Sequence, residues 1–173
     1  MNNGKTDFAV SLEERPALRV MGVKVGTDMD HASLDCPALW KAFEPRMREV
    51  ACSRPESYGI SVLTGNPEKN GCAFDYWAAL PAAKDAPLPE GMEEFRLFAG
   101  THAFFEVPSL AEASAAYGWF YTQWLPGQNE YTLNMASPCF ELYTEGFLKT
   151  GKFFLYFPVA RANSFENMLA NFS

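Results

Sequence analysis

The chain has 173 residues, of which 48% are hydrophobic, and carries a formal charge of -7 from 14 Lys and Arg against 21 Asp and Glu. This composition suits one domain with a real core. No basic run interrupts the acidic balance, so the cationic stripe that a phosphate backbone requires is missing, which argues against direct nucleic-acid binding. The N-terminus lacks the apolar core of a signal peptide and no segment approaches the length of a membrane span, so a cytoplasmic protein with no membrane contact is expected.

Residues 1–15 read as a flexible N-terminal segment. RPALRVMGVKVGTDM then alternates Leu18, Val20, Gly22 and Lys24 with Arg19, Met21, Val23 and Val25, the pattern of a strand buried on both faces near its middle. In DCPALWKAFEPRMREVA, Asp35 suits a helix N-cap with Pro37 in the first turn, and Leu39, Phe43, Met47 and Val50 form an apolar stripe with Trp40 at its edge. Pro45 should kink or interrupt that helix. SYGISVLT (57–64) and CAFDYWAALP (72–81) read as two strands joined by the turn-rich GNPEKNG. Alternation sends Tyr76 and Trp77 to opposite faces, so only one of them can see a cleft, and the pattern alone does not choose.

KDAPLPEG, with Pro87 and Pro89, reads as a hinge over 83–91. EEFRLFAGTHAFFEV is expected to be one long strand with a bulge at Gly100. SLAEASAAYGWFYTQWL offers Ser109 as N-cap with Glu112 three residues later, a capping box, and spaces Leu110, Ala113, Tyr117, Phe120 or Tyr121, and Trp124 as a helical stripe. PCFELYTEG and GKFFLYFPVA follow as a closing strand pair. Finally NSFENMLANFS places Asn163 before Phe165, Met168, Leu169 and Phe172, so 162–173 reads as an amphipathic helix that docks on its own domain or pairs two copies as a homodimer.

Residues 16–82 and 92–161 thus share one order of parts, strand-helix-strand-strand. The fold class is α+β, a pseudo-twofold duplication with antiparallel sheets forming one domain over 16–161. Two such units can cover one another and leave a ligand cleft along their seam. Cys36, Cys52, Cys72 and Cys139 form no CxxC pair and have no His at ligand spacing, so reduced, mostly buried thiols and no metal are expected. There is no nucleotide loop, and no cofactor is expected. Aromatic residues reach 15% of the chain, more than a core of this size needs, so some rings should line a cavity.

Glu141 is the residue that bears most on function. Phe140 and Leu142 alternate with Glu141 and Tyr143, so the Glu-Tyr pair faces either water or a site. On the first reading Glu141 is a surface carboxylate paired with Lys149 or Lys152. On the second it lies at the floor of an aromatic cleft, where desolvation must be offset by a cation or by hydrogen-bond donors.

SYGISV, FDYWAALP, PLPEGM, FAGTHAFFEVPS, YTQWLP, PCFELY and FLYFPVA, in that order, resemble the gyrase-inhibitor-like effector-binding domains, which also serve as ligand domains of AraC-type and MerR-type regulators. The resemblance covers residues 16–161. It implies a duplicated strand-helix-strand-strand fold whose seam binds lipophilic, often cationic molecules, with Glu141 as the central acid and Trp40, Tyr58, Tyr117 and Tyr156 as aromatic walls; Trp77 joins these ligand-binding candidates from the Tyr76–Trp77 alternation. His102 departs from the tyrosine that many members carry, and no helix-turn-helix precedes residue 16, so a stand-alone sensor or sequestering protein is expected, with a separate transcription regulator as partner. The resemblance leaves two alternatives. One is a hydrolase of cyclopropane-bearing toxins that uses Glu141 with Tyr117, and the other is a protein inhibitor of a topoisomerase.

Overall fold

The structure is a computed structural model that describes residues 7–64 and 73–162. Its architecture is mostly antiparallel sheet with a few helices, the expected α+β class. The strands are β1 (Ser11–Arg15), β2 (Leu18–Thr27), β3 (Ser57–Leu63), β4 (Phe74–Pro81), β5 (Glu93–Leu97), β6 (Gly100–Val107), β7 (Tyr131–Leu133), β8 (Cys139–Tyr143) and β9 (Phe153–Arg161). The α-helices are α1 (Ala32–Phe43), α2 (Ala113–Trp119) and α3 (Phe147–Thr150).

The strands lie in the order β1-β6-β9-β8-β3-β4-β2-β5, with β7 beside the end of β9. Outward from the β8–β3 junction the two halves read β8-β9-β6 and β3-β4-β2. They therefore join edge to edge, with Ser57 opposite Tyr143 and Ser61 opposite Cys139, rather than covering one another face to face. Pairing these two edges gives main-chain groups that would otherwise sit unpaired under the helices their hydrogen-bond partners. The cleft consequently forms between two helical regions on one face of a continuous sheet.

Two expected boundaries shift. The segment expected to be flexible contains β1, whose residues pair with β6 from Ser11 opposite Phe104 to Arg15 opposite Gly100. The single long strand over residues 93–107 divides in two: β5 pairs with β2, and β6 pairs with β1 and β9. The division falls just before Gly100, whose φ of 155° is open to glycine but not to other residues. As a result the strand that opens the second half edges the first half, and β1 edges the second.

Helix α1 begins at Ala32, before the expected Asp35 cap. Asp28 takes over that end by accepting from the main-chain N–H groups of Asp30 and His31 at 3.0 and 2.9 Å. Asp35 instead sits in the first turn and accepts from Thr27 Oγ1 at 2.8 Å. Pro45 does stop the α-helix, which passes into a 3₁₀ stretch over Glu44–Glu49. Phe43 packs with Met21, Val50, Ala78 and Leu80, flanked by Leu39, Trp40 and Met47.

On the second half the capping box does not close. Ser109 makes no side-chain cap bond, and a 3₁₀ turn over Leu110–Glu112 precedes α2. After Trp119 the chain makes a π-type turn, with Leu125 N donating to Phe120 O at 2.9 Å. That turn stacks Phe120 on Phe157 of β9 at 3.7 Å between ring centroids and on Trp124 at 5.2 Å. Each such aromatic pair adds roughly 0.5–1.5 kcal/mol beyond area burial, which fastens the helix to the sheet. Among the described residues no helix is long and apolar enough to cross a membrane. Cys36, Cys52 and Cys139 are free thiols; Cys52 is exposed and the other two are half-buried, so "mostly buried" does not describe them. Cys72 and the expected helix from Asn163 onward lie outside the described residues.

Candidate functional site

Strand alternation turns Cys139, Glu141 and Tyr143 toward the helices and Phe140 and Leu142 away from them. Glu141 lies opposite Gly59 of β3, and Ala78 of β4 follows in the same row. The carboxylate leans back over β3. A Cβ at position 59 would collide with both Glu141 Oε1 and the Tyr76 hydroxyl, so only glycine leaves room for them.

Three tyrosines donate to this carboxylate, each from a different element. Tyr76 Oη of β4 reaches Oε1 at 2.7 Å, Tyr143 Oη of β8 reaches Oε1 at 2.8 Å, and Tyr117 Oη of α2 reaches Oε2 at 3.0 Å. Trp40 Nε1 of α1 donates to Tyr76 Oη at 2.9 Å, which orients that hydroxyl proton toward Glu141. The Trp40 ring also meets Tyr143 edge-on at 5.7 Å. Both helical regions therefore converge on one carboxylate.

Among the described residues no Lys, Arg or His pairs with Glu141. Lys152, one of its expected surface partners, instead lies 3.4 Å from Glu106. Burial pushes the Glu141 carboxyl above its ordinary value, and the hydroxyls of Tyr76, Tyr143 and Tyr117 oppose that rise. Burial and the Glu141 charge raise the neighbouring Tyr76, Tyr117 and Tyr143 phenols well above theirs. The same causes hold the Cys36 and Cys139 thiols at about 12. The phenols and thiols around Glu141 are thus held in their protonated forms. Above it opens a cleft of about 1830 Å³, whose walls include Trp40, Met47, Tyr117, Tyr121, Leu133 and Phe147.

Of the six residues expected to form the site, the structure brings together Glu141, Trp40 and Tyr117. Tyr58, Trp77 and Tyr156 lie on the opposite sheet face, in one apolar cluster with Phe140 and Leu142. The register decides this: Tyr58 stands opposite Leu142, and Tyr156 opposite Phe140. There Tyr58 and Tyr156 enclose a cation of the protein itself. Arg15 of β1 sits 4.7 Å over the Tyr156 ring and 5.5 Å over Phe140, and its Nη2 donates to Tyr58 Oη at 3.0 Å. Glu13 accepts from Arg15 Nη1 at 3.2 Å and from Tyr156 Oη at 3.0 Å, while Glu56 accepts from Tyr58 Oη at 2.6 Å. His102 is buried on that face, near Phe140 and Tyr156, with Nδ1 3.1 Å from Gly100 O. Trp77 packs on Phe95, so Tyr76 is the residue of the DYW pair that faces the cleft.

Sequence reasoning did not single out Gly59, and it placed Tyr143 on the face of Glu141 without naming it a ligand-binding residue. Both left a signal: a glycine inside a strand marks close approach, and Tyr143 shares the alternation of Glu141.

Comparison with known proteins agrees with this architecture. The transcriptional regulator BrlR of Pseudomonas aeruginosa strain PAO1 is 34% identical over 109 residues, covering 60% of this chain and 38% of the regulator. The chain therefore spans well under half of that relative. A putative bacterial transcription regulation protein from Staphylococcus aureus MU50 superimposes with a TM-score of 0.66 at 12% identity, over 88% of this chain and 99% of the other. SAV2435 bound to tetraphenylphosphonium gives 0.63 at 14% identity, over 88% and 94% of the two chains. A hydrolase encoded by lin2189 from Listeria innocua gives 0.52 at 10% identity, over 87% and 91%. At these identities the structures show a shared fold. Residues 8–160 match the GyrI-like small molecule binding domain, and the chain belongs to that family.

Proposed function

We propose that the cleft binds lipophilic aromatic cations with Glu141 as counter-charge, and that the protein acts as a sensing or sequestering module for them. The observation that carries this is a carboxylate with no cationic partner among the described residues, held by three tyrosine hydroxyls beneath an open apolar cleft. Burying a lone charge is expensive, and hydrogen bonds offset only part of the cost. A cation entering the cleft removes the remainder through Coulomb attraction and gains roughly 0.5–2 kcal/mol from each well-placed ring. The tetraphenylphosphonium complex of SAV2435, which shares the fold, supports the same class of ligand.

A hydrolytic role for Glu141 with Tyr117 finds less support. A general base needs an open lone pair directed at water, and Tyr76 and Tyr143 on Oε1 with Tyr117 on Oε2 leave only one such position on the carboxylate.

Titrating the protein with tetraphenylphosphonium and with tetraphenylborate, which have nearly the same shape and opposite charge, tests the proposal through tryptophan quenching. The cation should bind and the anion should not. Glu141→Gln should weaken the cation by about 1.5–3 kcal/mol, the range of a charge-assisted contact. Equal affinity for both ions, or an unchanged cation affinity in Glu141→Gln, would remove Glu141 from the proposed role.

A further inference from the structure

We infer that the site selects cations by how few N–H donors they carry, favouring quaternary and fully substituted onium centres over primary ammonium groups on the same hydrophobic body. The inference rests on the proposed role of Glu141 as counter-charge and adds a rule of selection to it.

A carboxylate offers about four lone-pair positions. Three are taken: Tyr76 and Tyr143 fill Oε1, and Tyr117 takes one position on Oε2. Rearranging the donors is costly. Tyr76 is 4% exposed, and its hydroxyl is held from the other side by Trp40. Gly59 also places the β3 backbone directly beneath Oε1 and the Tyr76 hydroxyl, which closes that approach.

A primary ammonium brings three N–H groups and a tightly held hydration shell. At Glu141 it finds at most one open acceptor position. The hydroxyl oxygens of Tyr117 and Tyr143 remain as neutral acceptors, but each is held in place by its own bond to Glu141 and cannot turn to meet the other N–H groups. At least part of its hydration is therefore not replaced. A quaternary centre has no N–H to satisfy, so it loses nothing of that kind and keeps the full Coulomb attraction. The carboxylate acts here as a fixed negative field whose hydrogen-bonding capacity the protein has already used.

The test compares three ligands on one biphenylmethyl body, carrying a primary ammonium, a trimethylammonium, or the neutral tert-butyl group that matches trimethylammonium in shape. Binding is read by calorimetry at one pH between 7 and 8, where both nitrogen ligands are cationic. The trimethylammonium ligand should bind best, with the primary ammonium at least about tenfold weaker, the order of one unreplaced charged hydrogen bond. In Tyr143→Phe, which frees a position on Oε1, the ratio between the two cations should shrink several-fold, whatever happens to absolute affinity. Tyr117→Phe gives a second reading from the Oε2 side should the first variant fold poorly.

If the trimethylammonium ligand binds no better than its neutral match, the counter-charge reading itself fails. If it beats the neutral match while the primary ammonium binds equally well or better, the counter-charge stands and the selection rule is wrong. A ratio unchanged in both tyrosine variants would also overturn the rule, because the preference would then not arise from the filled lone pairs.

Discussion

Substituting Gly59 by Ala is the most direct way to ask whether the site depends on β3 lying bare beneath the carboxylate. The backbone of Gly59 does not require glycine, since it is not among the residues with positive φ. The added methyl would instead collide with the ends of two side chains that hold each other, the Tyr76 hydroxyl and Glu141 Oε1. One or both must move, which breaks a hydrogen bond to a charged group, worth about 1.5–3 kcal/mol, and adds overpacking strain of about 1–3 kcal/mol. The stiffer unfolded chain returns about 0.4–1 kcal/mol. A net loss of about 1.5–5.5 kcal/mol follows, or a fall in Tm of about 3–22 °C for a chain of this size. Gly26 of β2 provides the control. A Cβ there meets only Asp75 Oδ1, at 3.7 Å, an ordinary contact, so Gly26→Ala should leave stability within about 1 kcal/mol of wild type. Thermal unfolding of both variants, with a tetraphenylphosphonium titration of each, reads the difference. Should Gly59→Ala be as stable as Gly26→Ala and bind the cation normally, the close packing of Glu141 and Tyr76 on β3 would not be what builds the site.

Glu141→Gln should separate stability from binding. Because the folded carboxyl titrates above its unfolded value, the native state holds its proton more tightly, and wild-type stability falls as pH rises from the unfolded value through the folded one. Denaturant midpoints of the variant should therefore match wild type in acid and exceed it at neutral pH, while cation affinity drops; a variant less stable at pH 7 than wild type would contradict the burial argument. For wild type, cation affinity should rise with pH through the Glu141 titration and level off above it, falling about tenfold per pH unit below. A flat profile from pH 4 to 8 would show that the charge is not used. Arg15→Gln should cost about 1–3 kcal/mol, since the Arg15 side chain is only 12% exposed and bridges Tyr58, Tyr156 and Glu13. It should leave cation affinity unchanged, because that cage lies behind the sheet; a matching loss of affinity would show that the two faces are coupled.

Much of the site was legible in short stretches of sequence because a strand repeats every two residues. Phe140 and Leu142 against Glu141 and Tyr143 is a statement about one strand, and it held. The interruption at Pro45 is equally local, since the missing N–H acts on its own turn. Tyr76 against Trp77 marks the limit: alternation shows that they part, and only packing shows that Tyr76 turns toward Glu141 while Trp77 joins Phe95. Tyr58 and Tyr156 fell on the far face for the same reason. Each strand's period is internal, but the phase of one strand against the next comes from pairing register, and a shift of one residue exchanges every side chain between faces. Tyr58 opposite Leu142 and Tyr156 opposite Phe140 are facts of register, as is the meeting of Gly59 with Glu141. The sequence by itself therefore determined the order of parts, the acid and the face that acid shares with Tyr143. Tertiary structure alone decided which tyrosines surround the acid and which surround Arg15, because that choice depends on hydrogen bonds between strands far apart in the chain.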